Sequence, residues 1–352
     1  MAGKTKKKRK KIIVVDLFCG VGGLSHGFVL EGMKVAAGVD LDPACEYAYK
    51  SNNNGKFVKA DISDLTGKDL NKLFNGAQIK VLAGCAPCQP FSSYAHRYDQ
   101  ERDNKWNLLG QFSRLVRECK PQIVTMENVP ALRKHPIFAT FVSSLKRQGY
   151  KVWYDVVDSS LYGVPQIRKR LVLLASKYDK LELIPSTAKT PFTVKKAIGN
   201  MPSLKAGQTH EKDRIHTAAS LSEINLKRIK VSKPGGTWKD WPKAIVAKCH
   251  QITSGKTYPS VYGRMKWDGP APTMTTQCYG YGNGRFGHPQ QHRAISLREA
   301  AILQSFPRHY KFIDRDAELN LTLLGRLIGN AVPVKLGRAI AKSISRHLKE
   351  RA

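Results

Sequence analysis

The chain has 352 residues, with 59 Lys+Arg against 27 Asp+Glu and a formal net charge of +32. A surface this basic repels itself unless it meets a polyanion, which points to nucleic acid as partner; no amphipathic anchor supports a membrane surface instead. Hydrophobic content of 41% supports a real core, and seven cysteines, an odd number in a chain this long, do not look like a disulfide framework. There is no apolar run of about eighteen residues, and the N-terminus is charged rather than apolar, so a soluble, cytoplasmic chain with no membrane span or signal peptide is expected.

Lys4 and Lys6 to Lys11, with Arg9 among them, form a basic arm over 1–11 that reads as a disordered tail adding sequence-independent phosphate contacts. It also has the look of a nuclear import signal, a weak sign in a basic protein. Residues 12–17, Ile-Ile-Val-Val-Asp-Leu, read as a buried parallel strand. A glycine-rich turn follows (Phe18 to Leu24), then a helix from Ser25 to Glu31, the unit by which dinucleotide-type folds cradle a nucleotide. Gly20-Val21-Gly22-Gly23 lacks the full GxGxxG spacing, which disfavours NAD and favours another nucleoside-containing cofactor. Val35 to Val39 predicts a second strand ending in Asp40, an acid placed to bond ribose hydroxyls, and Phe57 to Ala60 a third ending in Asp61.

Ile79 to Ala83 predicts a fourth strand, followed by Gly84-Cys85-Ala86-Pro87-Cys88-Gln89-Pro90-Phe91-Ser92. The two prolines stiffen this loop, so Cys88 sits at the carboxyl end of a strand as a positioned nucleophile would. Taken alone, Cys85-x-x-Cys88 also admits half a zinc site or a redox pair. A zinc site needs about four ligands and no second Cys-x-x-Cys appears, so no metal is expected. Further elements are predicted at Leu108–Cys119 (helix), Ile123–Met126 (strand, ending in Glu127-Asn128-Val129-Pro130), Ile137–Gln148 (helix), Val152–Val157 and Leu171–Ala175 (strands). Strand and helix alternate over 12–175, so the expected fold class is α/β: a Rossmann-like, doubly wound and mostly parallel sheet. Residues 185–295 are rich in Lys, Gly, Pro, Thr and Trp with little helical period, and read as a loop-rich smaller domain. Basic, aromatic and glycine residues interleave there, as in Tyr279 to Phe286 with Arg285, and suit a surface laid against nucleic acid. Helical period returns from Leu297.

Arg168 and Arg170 alternate at strand spacing, so both are expected on one side. A nucleophilic Cys88, a carboxyl group at Glu127 and a cation at Arg170 suit the activation of a flat, electron-poor heterocycle. Cytosine C5 is a poor nucleophile until a thiolate adds to C6; a carboxyl group at N3 and a cation at O2 stabilise the charge that develops. Neighbouring arginines favour the thiolate, and a base inside a duplex must flip out to be reached.

In this order the segments resemble the C5-cytosine DNA methyltransferase family over nearly the whole chain. Asp16 to Gly23 resembles the family's first motif, Pro87-Cys88-Gln89 its nucleophile motif, and Glu127-Asn128-Val129 its acid motif. Gln166-x-Arg168-x-Arg170 resembles the motif that handles the flipped cytosine, Arg298-Glu299 through Phe306-Pro307 the ninth, and Gly329 to Pro333 the tenth. The resemblance implies S-adenosyl-L-methionine as cofactor, bound by Phe18, Gly20, Gly22, Gly23, Leu24, Asp40, Asp61, Ile62, Pro87, Leu108, Asn330 and Val332. It implies catalysis by Cys88, Glu127 and Arg170 with Arg168 in support, and DNA contacts from Gln89, Ser92, Gln166 and Arg285. It divides the chain into a catalytic domain (12–179), a target-recognition domain (180–295) and a segment (296–352) whose last helix returns to the catalytic domain. Double-stranded DNA is the implied partner, a restriction endonuclease acting separately the implied companion, and a monomer suits a single asymmetric site. Two departures stand out: Leu41 where many members have an aromatic residue over the adenine, and Cys85 where a small residue is usual, which raises a Cys85–Cys88 disulfide under oxidation.

Three rivals are weighed against this reading. The tRNA-modifying branch carries a Cys-Phe-Thr tripeptide that is absent here. A non-catalytic binder would not need Cys88, Glu127, Arg168 and Arg170 together, and an oxidoreductase would work without S-adenosylmethionine.

Overall fold

The computed structural model describes residues 10–87, 108–186, 188, 190–253 and 255–350. The basic arm as far as Arg9, and Cys88, Gln89 and Ser92 of the expected nucleophile loop, lie outside the described residues. The chain divides into two compact units, one of 10–158, 169–185 and 334–350, the other of 159–168 and 186–333.

The first unit is built on a seven-stranded sheet in the order β3-β2-β1-β4-β5-β7-β6. Its strands are β1 (Ile12–Leu17), β2 (Lys34–Asp40), β3 (Lys56–Lys59), β4 (Ile79–Gly84), β5 (Ile123–Asn128), β6 (Lys151–Asp158) and β7 (Lys169–Ser176). The pairs β1–β2, β1–β4, β2–β3 and β4–β5 are parallel, whereas β7 runs antiparallel to both β5 and β6. The mostly parallel, doubly wound expectation therefore holds, with an antiparallel edge added. The central strands are apolar on both faces, and all six residues of β5 are buried, because helices cover both sides.

Those helices are α1 (Gly23–Leu30), α2 (Glu46–Asn53), α3 (Gly67–Leu73), α4 (Leu108–Cys119) and α5 (Pro136–Arg147), joined by the C-terminal helix Val334–Lys349. Helix α4 buries Leu109, Phe112, Leu115 and Val116, and Phe112 stacks on Phe141 of α5 with ring centroids 5.5 Å apart. The C-terminal helix lies against α1 so closely that a Cβ on Gly27 would fall 2.4 Å from Arg338 N. Only glycine permits that approach. Strand order reverses between β2 and β4 on either side of β1, the switch point where sheets of this kind open a ligand crevice.

The second unit contains α6 (Val194–Ile198), the hairpin β8 (Thr209–His210) with β9 (Asp213–Thr217), α7 (Glu223–Val231), α8 (Lys248–Gln251), α9 (Leu297–Leu303) and α10 (Leu321–Asn330). Polar side chains replace a large sheet as its framework. Arg264, 3% exposed, donates to the carbonyls of Ile229, His288 and Gln291. Arg293 and Glu299, both fully buried, form a two-point ion pair at 2.7 and 2.8 Å, and Arg298 grips Asp213 at 2.6 and 3.0 Å. An aromatic cluster of Trp238, Trp241 and Tyr281 packs with Ile229 and Ala294.

The division departs from the expected boundaries after 295. Residues 296–333 belong to the second unit, because the pairs Arg293–Glu299 and Arg298–Asp213 fasten α9 there. Helical period marks a helix but not the core it joins. Among the described residues, no helix is long and apolar enough to cross a membrane, and no cluster of His, Cys, Asp and Glu could hold a metal ion.

Candidate active site

Three strand ends of the first unit carry acids. After β1, Phe18 and Gly20 adopt left-handed backbone (φ 57° and 52°), as does Gly22 (φ 87°). The tight turn aims the Gly20 N–H at Asp40 Oδ2, 2.7 Å away, while Asp40 Oδ1 accepts from Asp42 N at 3.0 Å. Burial raises the Asp40 carboxyl above its ordinary range, and these backbone donors pull it partly back. A Cβ on Gly20 would meet no atom within 4 Å, so the turn faces open space, whereas one on Gly22 would lie 2.2 Å from Asn53 Nδ2. Ala60 N donates to Asp40 O at 3.2 Å, which brings Asp61 beside this turn, and Asp61 Oδ1 caps Ser63 N at 2.8 Å. Leu41 is 60% exposed next to Asp40, an apolar surface beside an acid. An acid for hydroxyls, an apolar neighbour and an open glycine turn fit a nucleoside.

The other expected cofactor residues divide. Gly23, Leu24 and Ile62 are buried, Phe18 and Leu108 half-buried, and Pro87 exposed, all in the first unit; Asn330 (exposed) and Val332 (buried) belong to the second. The Leu24 side chain is packed into the unit, so any contact it makes is through its backbone.

Beneath the turn lies Asp16, the first residue of the Asp16 to Gly23 motif. It is 1% exposed; Ser25 Oγ donates to Oδ2 at 2.7 Å, and Oδ1 has no hydrogen bond among the described residues. Desolvation raises its pKa to about 7, against the opposing bond from Ser25 and with a further push from Asp40.

Glu127 is the best-defined acid of the site. It sits near the end of β5 and is 3% exposed. Cys85 Sγ donates to Oε2 at 3.1 Å, and Arg170 Nε from β7 lies 3.0 Å from Oε1. The approach of Arg170 is an ion pair rather than an aligned hydrogen bond, so Oε1 keeps an unmet acceptor among the described residues. Next in the chain, Asn128 Nδ2 donates to Ala86 O at 3.0 Å and clamps the turn that leads through Pro87 to Cys88. Neither the Cys85 contact nor this clamp had a signal in the sequence, because each joins residues 42 positions apart.

Three of the expected site residues make their hydrogen bonds within the second unit. Gln166 was expected on DNA, yet it is fully buried: its amide donates to Leu303 O and Gln304 Oε1, and its Oε1 accepts from Met274 N. Arg168 was expected beside Arg170 on one side of a strand. It lies ahead of β7, 4% exposed, and donates to Met274 O at 2.9 Å and Gly329 O at 3.2 Å, so it braces the backbone of the second unit. Arg285 commits Nη1 to the carbonyls of Gly235 and Gly236, which ties down a loop and leaves that nitrogen less available to DNA. For Gln166 and Arg168 the carbonyls served are buried and need a donor.

A family model described as C-5 cytosine-specific DNA methylase matches residues 12–346. The type II methylase M.HgiDII of Herpetosiphon aurantiacus is 53% identical over 96% of this chain and 96% of its own. A type II methyltransferase of Staphylococcus aureus is 31% identical over 98% of this chain and 78% of its own. Among solved structures, one described as a DNA modification methyltransferase encoded within an E. coli prophage superposes with a TM-score of 0.74 at 25% identity, covering 96% of this chain and 99% of that one. A methyltransferase of Entamoeba histolytica shares the fold (TM-score 0.67, 15% identity, 97% and 99% coverage). Spanning matches of this kind, on a sheet whose strand ends carry the acids just described, make the chain a member of the C-5 cytosine-specific DNA methylases and its activity that of a DNA (cytosine-5-)-methyltransferase.

Proposed function

We propose that the enzyme methylates C5 of a cytosine flipped out of double-stranded DNA, within one short sequence, through a covalent bond between Cys88 and C6. The observation that carries this reading is the setting of Glu127: a buried carboxyl group held by Arg170 and Cys85, with one acceptor unmet, at the mouth of the turn that leads to Cys88. As the thiolate adds, the carboxyl group gives its proton to cytosine N3, and a guanidinium beside it favours charge developing at O2. Addition of the Cys88 thiolate to C6 moves electrons to C5, and loss of the C5 proton after methylation lets the S–C6 bond break and restores the thiolate.

S-adenosyl-L-methionine supplies an electrophilic methyl group when bound. Asp40 and Asp61 would hold its ribose, the Gly20 turn its amino-acid end, and Leu41 would cover the adenine. Arg168 and Gln166 keep the second unit's backbone in place. Net charge of +32 supplies the long-range attraction to DNA. The second unit carries the sequence readout, the enzyme acts as a monomer, and it protects DNA from a separately acting restriction endonuclease, as the type II names of its relatives suggest.

The test is incubation with labelled S-adenosylmethionine and unmethylated genomic DNA, followed by sequencing for 5-methylcytosine. Methyl groups confined to one short motif are expected; label in tRNA but not in DNA would overturn the reading. Cys88→Ser should bind DNA and transfer no methyl group, and full activity in that variant would remove the covalent step.

A further inference from the structure

We infer that Cys85 is a positioning residue that sets the plane of the Glu127 carboxyl group. The inference rests on the role proposed for Glu127. A single ion pair fixes one oxygen and leaves a carboxyl group free to turn about its last bond. Arg170 supplies that one point at Oε1, 3.0 Å away, and Cys85 Sγ supplies the second at Oε2, 3.1 Å away. The two holders come from the residue after β4 and from β7, the strands that flank β5 on either side.

Cys85 is itself fixed. Its N–H donates to Leu17 O at 3.2 Å, and the next carbonyl, Ala86 O, is clamped by Asn128 at 3.0 Å. The backbone that carries the thiol is therefore held at the ends of β1 and β5, which places Sγ within reach of the carboxyl group. Its side chain is only half-buried, so nothing in the apolar core requires a cysteine there. A thiol is a weak donor, but bonds to a buried carboxylate are strengthened by its charge. With Oε2 occupied, Oε1 alone is left to meet a base, and its direction is set. The charged and titratable groups that face the carboxyl group among the described residues are Arg170 and Cys85. Cys85 is a departure from the usual small residue of the resembled motif, and this contact gives the departure a purpose.

The test compares Cys85→Ala, Cys85→Ser and Glu127→Gln in the full chain, on duplex DNA with S-adenosylmethionine. Cys85→Ala should lower kcat about tenfold with KM for both substrates within about twofold, the pattern of an interaction that matters in the transition state. Serine restores a donor and should return kcat to within about threefold of the parent. A merely packing role would lower melting temperature and raise KM, with serine no better than alanine. Where alanine destabilises the fold, Cys85→Val, which fills the site without a donor, replaces it. Parental kcat in the alanine or valine variant, or equal impairment in serine and alanine, overturns the inference while leaving Glu127 in its role. Parental activity in Glu127→Gln overturns both.

Discussion

Each of the two units holds a buried carboxylate against an arginine, and the difference between the pairs separates chemistry from architecture. In the second unit Glu299 is saturated: both oxygens accept from Arg293, Oε2 also accepts from Ser296 N at 2.7 Å, and the pair is wholly buried. Burial pushes the Glu299 carboxyl up, but the bonds and charge of Arg293 outweigh it and hold the group below its usual range. In the first unit Glu127 has one thiol and one off-line arginine, and an oxygen still waiting. A fully satisfied ion pair locks segments together; an incompletely satisfied one at a strand end is ready to bind.

Substitution should split the two pairs cleanly. Glu127→Gln is expected to cut kcat by about a thousandfold while moving Tm by less than about 2 °C, as removal of a general acid does. Glu299→Gln should instead destabilise by about 3–5 kcal/mol, because Arg293 would be left buried without its countercharge. Steady-state kinetics beside urea unfolding decide it, and a Glu127→Gln variant that unfolds like Glu299→Gln would erase the distinction. Gln166→Ala belongs with the second class: about 2 kcal/mol is expected, since it orphans the buried Gln304 and Met274 groups, with little effect on DNA affinity per folded molecule.

How much of this could be read from the chain follows the same line. The apolar runs of β1, β4 and β5 and the amphipathic α4 announce themselves by local period, and the acids at their ends fall where a parallel sheet must expose them. Asp40 and Glu127 were legible for that reason. Arg168 was not, because alternation along a strand says where a side chain would point only if the strand has already begun, and β7 begins one residue later. Gln166 looked like a surface amide because nothing local records that Met274, Leu303 and Gln304, more than a hundred positions away, need partners. Likewise the second unit's claim on 296–333 is written in the pairs Arg293–Glu299 and Asp213–Arg298, which no periodicity reveals.

Opposite pH responses sharpen the comparison further. Burial lowers His288 in the second unit to about 4, although Glu299 draws it upward. Its folded value lies below its unfolded one, so between about pH 6.5 and 4 only the unfolded chain takes up the proton, and stability falls as pH falls through that window by roughly 3 kcal/mol. Asp16 in the first unit behaves inversely. Desolvation raises it from 3.8 to about 7, so its contribution is complete below 3.8 and is lost as pH rises towards 7. Urea unfolding from pH 4 to 7 should therefore show His288→Gln flattening the rising limb and Asp16→Asn stabilising the protein most at pH 7. Parallel curves for both variants would mean that neither group titrates differently on unfolding.

The smallest contrast is between two caps of the same pattern. Thr66 begins α3 with a capping box to Asp69 on an exposed surface, and Ser296 begins α9 with a capping box to Glu299 in the interior. Sequence spacing is the same in both, so propensity alone predicts equal losses on substitution by alanine. The surroundings differ. His216 Nε2 faces Pro202 O at 2.9 Å, a group that can only accept, so the proton resides on Nε2 and Ser296 Oγ must donate to Nδ1 at 2.8 Å. Burial also depresses His216 below its usual range, which keeps that nitrogen an acceptor. Ser296→Ala thus removes a cap and orphans a buried imidazole, for about 2–3 kcal/mol, whereas Thr66→Ala removes a cap that water partly replaces, for about 1 kcal/mol. Combining Ser296→Ala with His216→Phe, which deletes the orphan, should recover part of the larger loss. No recovery would place the whole cost in the helix end and make the two caps equivalent.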